Sequence, residues 1–319
     1  MKPMLKPERL DFGDTVGIVA PASAPPDPKA VDRAAAALER FGFKPKPAKH
    51  VRARLGFLAG ADRERATDLM AMFADKKVKA ILCLRGGYGT ARILDRLDYD
   101  VIRRNPKILS GYSDITSLHF ALVKKANLIS FHAPMWNGAL ADPNVPEFTR
   151  KSFFRTVMEA KPSGSILQGN DGNTVSILRG GMAEGRLVGG NLSLICASLG
   201  TPFQPSFKGK ILFFEDVSEK PYRLDRMLTQ LLNAGIFSRV AGVAVGVNHD
   251  CVDPDAKPGG EYRQSSADVV KERLSPLRVP VVTGLPFGHV ALNATIPVGV
   301  RAELDGKHGD LSIIESAVR

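Results

Sequence analysis

Short apolar runs alternate with helical segments through the first half of the chain, and this alternation constrains the fold more than any other feature. The runs at 15–20 and 79–84 have the β-branched, apolar composition of buried strands. Between them, apolar residues recur at helical spacing over 30–41 and 62–73. Strands that alternate with helices at this pace form βαβ units around a parallel sheet. The sequence therefore predicts an α/β fold.

A chain of 319 residues is long enough for two domains. Turn-forming residues are dense between 161 and 173, which favours a boundary there. We expect a first domain over 1–165 and a second over 166–319. The second half carries further predicted strands and a predicted helix, at 210–214, 240–247, 300–304, 311–314 and 221–233.

Composition narrows the classes of function. No apolar run is long enough to span a membrane, and the first residues lack the apolar core of a secretory signal. Three widely separated cysteines favour a reducing cytoplasm with unpaired thiols. The net charge is +11, but lysine and arginine are scattered and form no nucleic-acid-binding module. A positive field also attracts an acidic small substrate, and we expect no nucleic-acid partner.

Polar and glycine-rich segments follow three consecutive predicted strands. They are Arg-Gly-Gly-Tyr-Gly-Thr at 85–90, Gly-Tyr-Ser-Asp at 111–114 and His-Ala-Pro-Met-Trp at 132–136. Ligands of open α/β sheets gather outside the carboxyl ends of the strands, so these segments predict one site. The amides of Gly86 and Gly87 are candidates for an oxyanion hole or a phosphate cradle, or the glycines simply permit a tight turn. Neither the Walker nor the dinucleotide spacing is present, which makes nucleotide binding the weaker interpretation.

Ser113 lies where a predicted strand turns sharply into a helix. Such a corner exposes a serine hydroxyl beside the next backbone N–H, as in a nucleophile elbow. Ile115 stands where the familiar Gly-x-Ser-x-Gly elbow has its second glycine, so the motif is incomplete. A serine that caps the helix is the competing interpretation.

A nucleophile at Ser113 requires a base and an acid from elsewhere in the chain. His119 lies among apolar residues of the following helix and is expected to be a core or surface histidine, whereas His289 follows a predicted strand and a glycine. Glu215 ends the apolar run at 210–214. Ser113, Glu215 and His289 are therefore the predicted triad, since triads occur in several sequence orders.

His249, Cys251 and three aspartates occur within 248–255, but no known metal-ligand spacing is present. We expect a mobile loop there, with no metal and no cofactor.

As a set, the motifs resemble the LD-carboxypeptidase family of serine peptidases, which contains murein tetrapeptide carboxypeptidases and microcin C immunity peptidases. The resemblance covers most of the chain, from about residue 11 to 299. It rests on Val-Gly-Ile-Val-Ala-Pro at 16–21, the motifs at 85–89 and 111–116, Gly-Gly-Asn-Leu-Ser at 189–193, Glu-Asp at 215–216, Pro-Tyr-Arg-Leu-Asp-Arg at 221–226 and Gly-His at 288–289. One departure is Ala133, where glycine is commoner.

The resemblance implies a Rossmann-like parallel sheet that carries Ser113 and a smaller C-terminal α/β domain that carries Glu215 and His289. It implies a homodimer, a small peptide substrate, and release of D-Ala from cytoplasmic murein tetrapeptide in cell-wall recycling. The oxyanion would be held by the amides of Asp114 and of Gly86 or Gly87, with Arg85, His132 and Trp136 as further candidates for substrate contact. The alternatives are a microcin-type peptidase that cleaves a toxic aminoacyl-nucleotide and a non-catalytic binding protein on the same fold.

Overall fold

The computed structural model describes residues 3–136, 138–170, 175–253 and 264–319. The strands of this part are β1 (Thr15–Val19), β2 (Lys44–Pro47), β3 (Val78–Cys83), β4 (Ile108–Gly111), β5 (Ser130–His132), β6 (Gly164–Ser165), β7 (Ser176–Arg179), β8 (Met182–Asn191), β9 (Ile211–Glu215), β10 (Gly242–Val245), β11 (Val281–Thr283), β12 (Ile296–Val298), β13 (Arg301–Asp305) and β14 (Asp310–Ile313). The α-helices are α1 (Ala30–Arg40), α2 (Asp62–Ala74), α3 (Tyr99–Arg104), α4 (Thr116–Ala121), α5 (Glu147–Met158), α6 (Leu192–Ser198), α7 (Pro221–Asn233) and α8 (Ser266–Leu274).

The first sheet has the strand order β12-β5-β4-β3-β1-β2. The five strands from the first half run parallel, and β12 from the second half pairs antiparallel with β5. The predicted α/β class with a parallel sheet is thus confirmed. The carboxyl ends of β3, β4 and β5 are neighbours at one edge, which brings together the segments that follow them.

The second sheet has the order β6-β14-β13-β8-β9-β10-β11-β7. Its central strands β8, β9, β10 and β11 are parallel, and the outer strands pair antiparallel. The carboxyl end of β9 is therefore flanked by the ends of β8 and β10. The predicted boundary between residues 165 and 166 stays a prediction. Strand β6, just before it, pairs in the second sheet, and β12, well after it, pairs in the first.

Buried apolar strands explain why these elements form. Val16, Ile18, Leu212 and Phe214 are all fully buried within their sheets. Helix α7 covers the second sheet with Leu224, Leu228 and Leu231, as its spacing predicts, and Pro221 starts it at the first helical position. Among the described residues, no helix combines the length and apolar character that crossing a bilayer requires.

Two elements differ from the sequence expectation. The strand β2 reads Lys-Pro-Lys-Pro and has no apolar pattern, but it lies at the edge of the first sheet, where proline is tolerated. The sequence also predicts a helix over 91–97, after the glycine-rich turn, and the structure has a 3₁₀ helix there, Thr90–Arg96.

Candidate active site

Ser113 occupies a strained turn between β4 and α4. The strand ends at Gly111, a 3₁₀ turn covers Ser113–Ile115, and the helix starts at Thr116. The φ angle of Ser113 is 60°, a left-handed value that few non-glycine residues adopt. Strain of this kind costs about 1–3 kcal/mol and concentrates at functional sites. The structure thus gives Ser113 the geometry of a nucleophile elbow.

The glycine-rich turn lies against the Ser113 hydroxyl. A Cβ on Gly86 would lie 3.2 Å from Ser113 Oγ and 3.3 Å from the Asp114 nitrogen, so the two turns are in contact. The amides of Gly86, Gly87 and Asp114 donate to no other group in the part of the chain that the structure describes. Free N–H groups near a serine oxygen are what an oxyanion hole requires.

The carboxylate of Asp114 holds the two turns together. It is buried and accepts a hydrogen bond from the Thr90 amide at 2.8 Å. Arg65, also buried, donates to the carbonyl oxygens of Gly89, at 2.8 Å, and of Pro21. Burial raises the pKa of Asp114, and its bonds to Thr90 and the charge of Arg65 oppose this shift. Asp114 therefore contributes an amide to the crevice and uses its side chain for support.

Glu215 and His289 form a hydrogen-bonded pair on the second sheet. Glu215 ends β9 and is fully buried, and its Oε2 lies 2.7 Å from His289 Nδ1. Gly288 has a φ of 120°, and a Cβ there would lie 3.0 Å from Glu215 Oε2, so glycine favours this approach. Burial raises the pKa of Glu215, and the hydrogen bond to His289 opposes the rise. This is the arrangement that the acid and imidazole of a triad require, and it leaves His289 Nε2 without a partner among the described residues.

Tyr112 joins the serine turn to this pair. Its ring lies 4.6 Å from the His289 ring, centroid to centroid, and it directly precedes Ser113. The imidazole therefore lies against the nucleophile turn. Among the described residues, Ser113 Oγ makes no hydrogen bond, so none joins it to His289 Nε2. Such bonds commonly tighten when substrate binds.

The three residues expected to contact substrate differ in their surroundings. Arg85 is half-buried and donates to the Ala24 carbonyl at 2.9 Å. His132 is fully buried among aromatic rings, and Trp136 is 1% exposed and packs against Phe153. Neither His132 nor Trp136 therefore presents its side chain to solvent. Their contact with substrate stays a prediction.

His119 lies in the core, one of the two positions that the sequence left open for it. Its Nε2 donates to the Gly111 carbonyl at 2.8 Å, and its Nδ1 accepts from Ser130 Oγ at 2.9 Å. Burial lowers its pKa to about 4. A neutral histidine thus supports the last residue of β4, two positions before Ser113.

A buried polar chain that sequence reasoning missed connects the two halves of the site. The Asn191 amide donates to Thr116 Oγ1 at 2.9 Å, and Asn191 Nδ2 donates to Asp216 Oδ1 at 2.8 Å. Thr116 lies one turn after Ser113, and Asp216 follows Glu215. A Cβ on Gly190 would lie 2.3 Å from Thr116 Oγ1, so glycine is required for this contact. The Gly-Gly-Asn and Glu-Asp motifs were visible signals, but their partner on α4 was not.

The described residues contain no group of three or more His, Cys, Asp or Glu side chains that could hold a metal ion. Of the segment 248–255, residues 254 and 255 lie outside the described part. The absence of a metal or cofactor stays an expectation.

Comparisons with known proteins agree on one family. Residues 16–133 match the LD-carboxypeptidase N-terminal domain, and residues 184–304 match its C-terminal domain. A probable murein peptide carboxypeptidase of Bacillus subtilis is 40% identical over 98% of this chain and 95% of its own length. The murein tetrapeptide carboxypeptidase of Pseudomonas aeruginosa is 33% identical over 91% of this chain and 93% of its own.

Solved structures extend the likeness to the whole fold. A muramoyltetrapeptide carboxypeptidase from Oxalobacter formigenes has a TM-score of 0.80 at 31% identity, covering 94% of this chain and 99% of that one. The microcin C7 self-immunity protein MccF, in complex with aspartyl sulfamoyl adenosine, has a TM-score of 0.87 at 26% identity, covering 99% and 100%. MccF of Escherichia coli is 28% identical over 96% of this chain and 94% of its own.

Proposed function

This chain belongs to the LD-carboxypeptidase family, and from that premise we propose that it is a serine carboxypeptidase that releases terminal D-Ala from murein tetrapeptide. The observation that carries the proposal is the Glu215–His289 pair lying against the turn of Ser113. Free amides of Gly86 and Asp114 beside Ser113 Oγ add the other element that acyl transfer needs.

The proposed reaction begins at Ser113. His289 Nε2 removes the hydroxyl proton while Oγ attacks the carbonyl that joins an L-configured centre to the terminal residue. Glu215 holds the Nδ1–H tautomer and stabilises the imidazolium. The amides of Asp114 and of Gly86 or Gly87 hold the oxyanion, and losing one such donor costs about 100- to 1,000-fold in rate.

Collapse of the tetrahedral intermediate breaks the peptide bond. His289 gives its proton to the departing amine, which leaves as D-Ala and leaves an ester on Ser113. Water then attacks the ester, with His289 as base, and releases the shortened peptide and the free serine. An acidic peptide suits a chain with a net charge of +11.

The runner-up is cleavage of an aminoacyl-nucleotide of the microcin type. The overall fold similarity to MccF favours it. Sequence identity supports the murein reaction instead, because relatives named for murein peptides share 33% and 40% of residues against 28% for MccF.

We further propose that the protein works in the cytoplasm as a homodimer, in cell-wall recycling. Cys83, Cys196 and Cys251 are free and buried, which fits a reducing compartment. Sedimentation of the full chain tests the dimer.

The decisive experiment compares two substrates on one enzyme. We expect D-Ala release from murein tetrapeptide and little turnover of aspartyl sulfamoyl adenosine or a cleavable analogue.

Ser113→Ala should abolish D-Ala release and labelling by a fluorophosphonate. Glu215→Gln should lower kcat by about 1,000- to 10,000-fold while the protein stays folded. Release that survives Ser113→Ala would refute the nucleophile, and an unlabelled wild type would favour a non-catalytic binding protein.

A further inference from the structure

Two aromatic side chains stand exposed beside the glycine-rich turn, and the proposed chemistry uses neither. Phe57 is 64% exposed and Tyr88 is 52% exposed. Their rings are in edge contact, with centroids 5.5 Å apart and planes at 63°. Large apolar side chains that cluster on a surface commonly mark a binding site.

Rigid backbone holds both rings. Phe57 lies at the tip of a tight turn that is closed by two 3.0 Å hydrogen bonds between Leu55 and Leu58. A Cβ on Gly89 would lie 2.5 Å from Leu58 Cδ2, so this turn packs directly on the glycine-rich one. The Tyr88 amide donates to Ser23 Oγ at 3.1 Å. A pair fixed in this way loses little conformational entropy when a ligand binds.

The pair lies within reach of the reacting bond. Tyr88 is two residues from Gly86, so the Cα atoms of Tyr88 and Gly86 are within about 8 Å of each other. Gly86 in turn contacts Ser113. An extended tetrapeptide spans about 13 Å. A group carried at the far end of the peptide can therefore meet the two rings while its last bond lies at Ser113.

We propose that Phe57 and Tyr88 form a subsite for the sugar ring that a muramoyl peptide carries at its amino end. Aromatic faces bind the C–H faces of a sugar ring, and the muramoyl group is the ring that such a substrate adds to the peptide. The proposal rests on the proposed murein function. It adds a second recognition point, remote from the scissile bond, that distinguishes a sugar-bearing peptide from a free one.

The test measures D-Ala release from two substrates with the same peptide, murein tetrapeptide and muramoyl tetrapeptide. Phe57→Ala and Tyr88→Ala should each raise KM for the muramoyl substrate by about 3- to 10-fold and leave its kcat within about twofold. KM for the free tetrapeptide should stay unchanged. Phe12→Ala is the matched control, because Phe12 is also an exposed aromatic residue (75%) but precedes β1, at the amino ends of the parallel strands, whereas the glycine-rich turn follows the carboxyl end of β3.

Three results would overturn the subsite: no change with either substrate, equal changes with both, or a shift of the variants to a smaller assembly in sedimentation. Weaker binding of aspartyl sulfamoyl adenosine to the variants, with unchanged kinetics on muramoyl tetrapeptide, would also overturn it, in favour of a subsite for a nucleobase.

If the wild type releases D-Ala from neither substrate, the proposed function fails. Calorimetry on Ser113→Ala then tests the subsite alone, which requires muramoyl tetrapeptide to bind more tightly than free tetrapeptide and Phe57→Ala to remove that difference.

Discussion

The φ angle of Ser113 is unfavourable for an L-residue, but the proposed chemistry depends on it. The left-handed φ of 60° presents the hydroxyl beside the free amides of Gly86 and Asp114, yet an L-residue pays for this angle with steric strain. The sequence indicated a corner here from the strand run that ends at Gly111. It could not distinguish a nucleophile from a helix cap, because that distinction depends on Glu215 and His289, which approach only after folding.

The strain at Ser113 predicts an order of stability among inactive variants. Ser113→Gly should be more stable than Ser113→Ala by about 1 kcal/mol, because glycine adopts a positive φ without a Cβ clash. Urea unfolding of the two variants measures the difference. Equal midpoints, or a more stable alanine variant, would show that the turn is relaxed.

His119 and His132 predict a loss of stability in mild acid. Both are fully buried, and burial lowers the pKa of His119 to about 4 and that of His132 well below its usual value. An unfolded histidine titrates near 6.5, so below that pH the unfolded state binds more protons and stability falls as pH falls toward 4. His119 alone should cost about 2 kcal/mol between pH 7 and 5.

Urea midpoints at pH 7, 6 and 5 measure this effect. His119→Asn removes the titrating group, so its stability, although lower at pH 7, should depend less on pH across the same range. An unchanged slope in that variant would assign the acid sensitivity to other groups.

Among the elements, those with clear apolar patterns were predictable and those specified by their neighbours were not. The helix α7 was expected over 221–233 and is found at Pro221–Asn233, since its apolar face is regular. The strands β2 and β12 carry no such pattern. The first is an edge strand of lysine and proline, and the second is a three-residue segment that joins a sheet formed by the other half of the chain.

The contact between α4 and β8 sets how the serine turn meets the acid. Thr116→Val keeps the side-chain shape but leaves the Asn191 amide buried without an acceptor, which costs about 1–3 kcal/mol. Because Asn191 also bonds Asp216, beside Glu215, we expect kcat for D-Ala release to fall about 10-fold with little change in KM. Unfolding and steady-state kinetics measure the two effects.

Thr116→Ser is the control, because it restores the acceptor oxygen and should recover most of the kcat. If Thr116→Val and Thr116→Ser lower kcat equally, the hydrogen bond from Asn191 to Thr116 does not determine the rate.

Across the whole molecule, the two halves interlock instead of meeting as separate bodies. Strand β12 completes the first sheet, and helix α5 of the first half bonds the segment that follows His289. The candidate triad could be proposed from strand-end residues because parallel strands align their carboxyl ends. The alignment of one sheet with the other depends on buried polar contacts between distant segments, such as Ser152 with Thr295, which no local pattern reveals.

Thr149 tests whether this interlocking positions the imidazole. Its Oγ1 donates to the Ala291 carbonyl at 2.6 Å and accepts from the Asn293 amide at 2.9 Å, and Asn293 in turn bonds both the amide and the carbonyl of Gly288.

Thr149→Val keeps the shape of the side chain and removes both bonds. We expect unfolding stability to fall by about 2 kcal/mol and fluorophosphonate labelling of Ser113 to slow about 10-fold, because His289 follows Gly288 directly. Thr149→Ser should label at nearly the wild-type rate. If Thr149→Val lowers stability while Ser113 is labelled at the wild-type rate, the contact of α5 with the segment after His289 stabilises the fold only. The position of His289 would then be set by Glu215, within the second sheet.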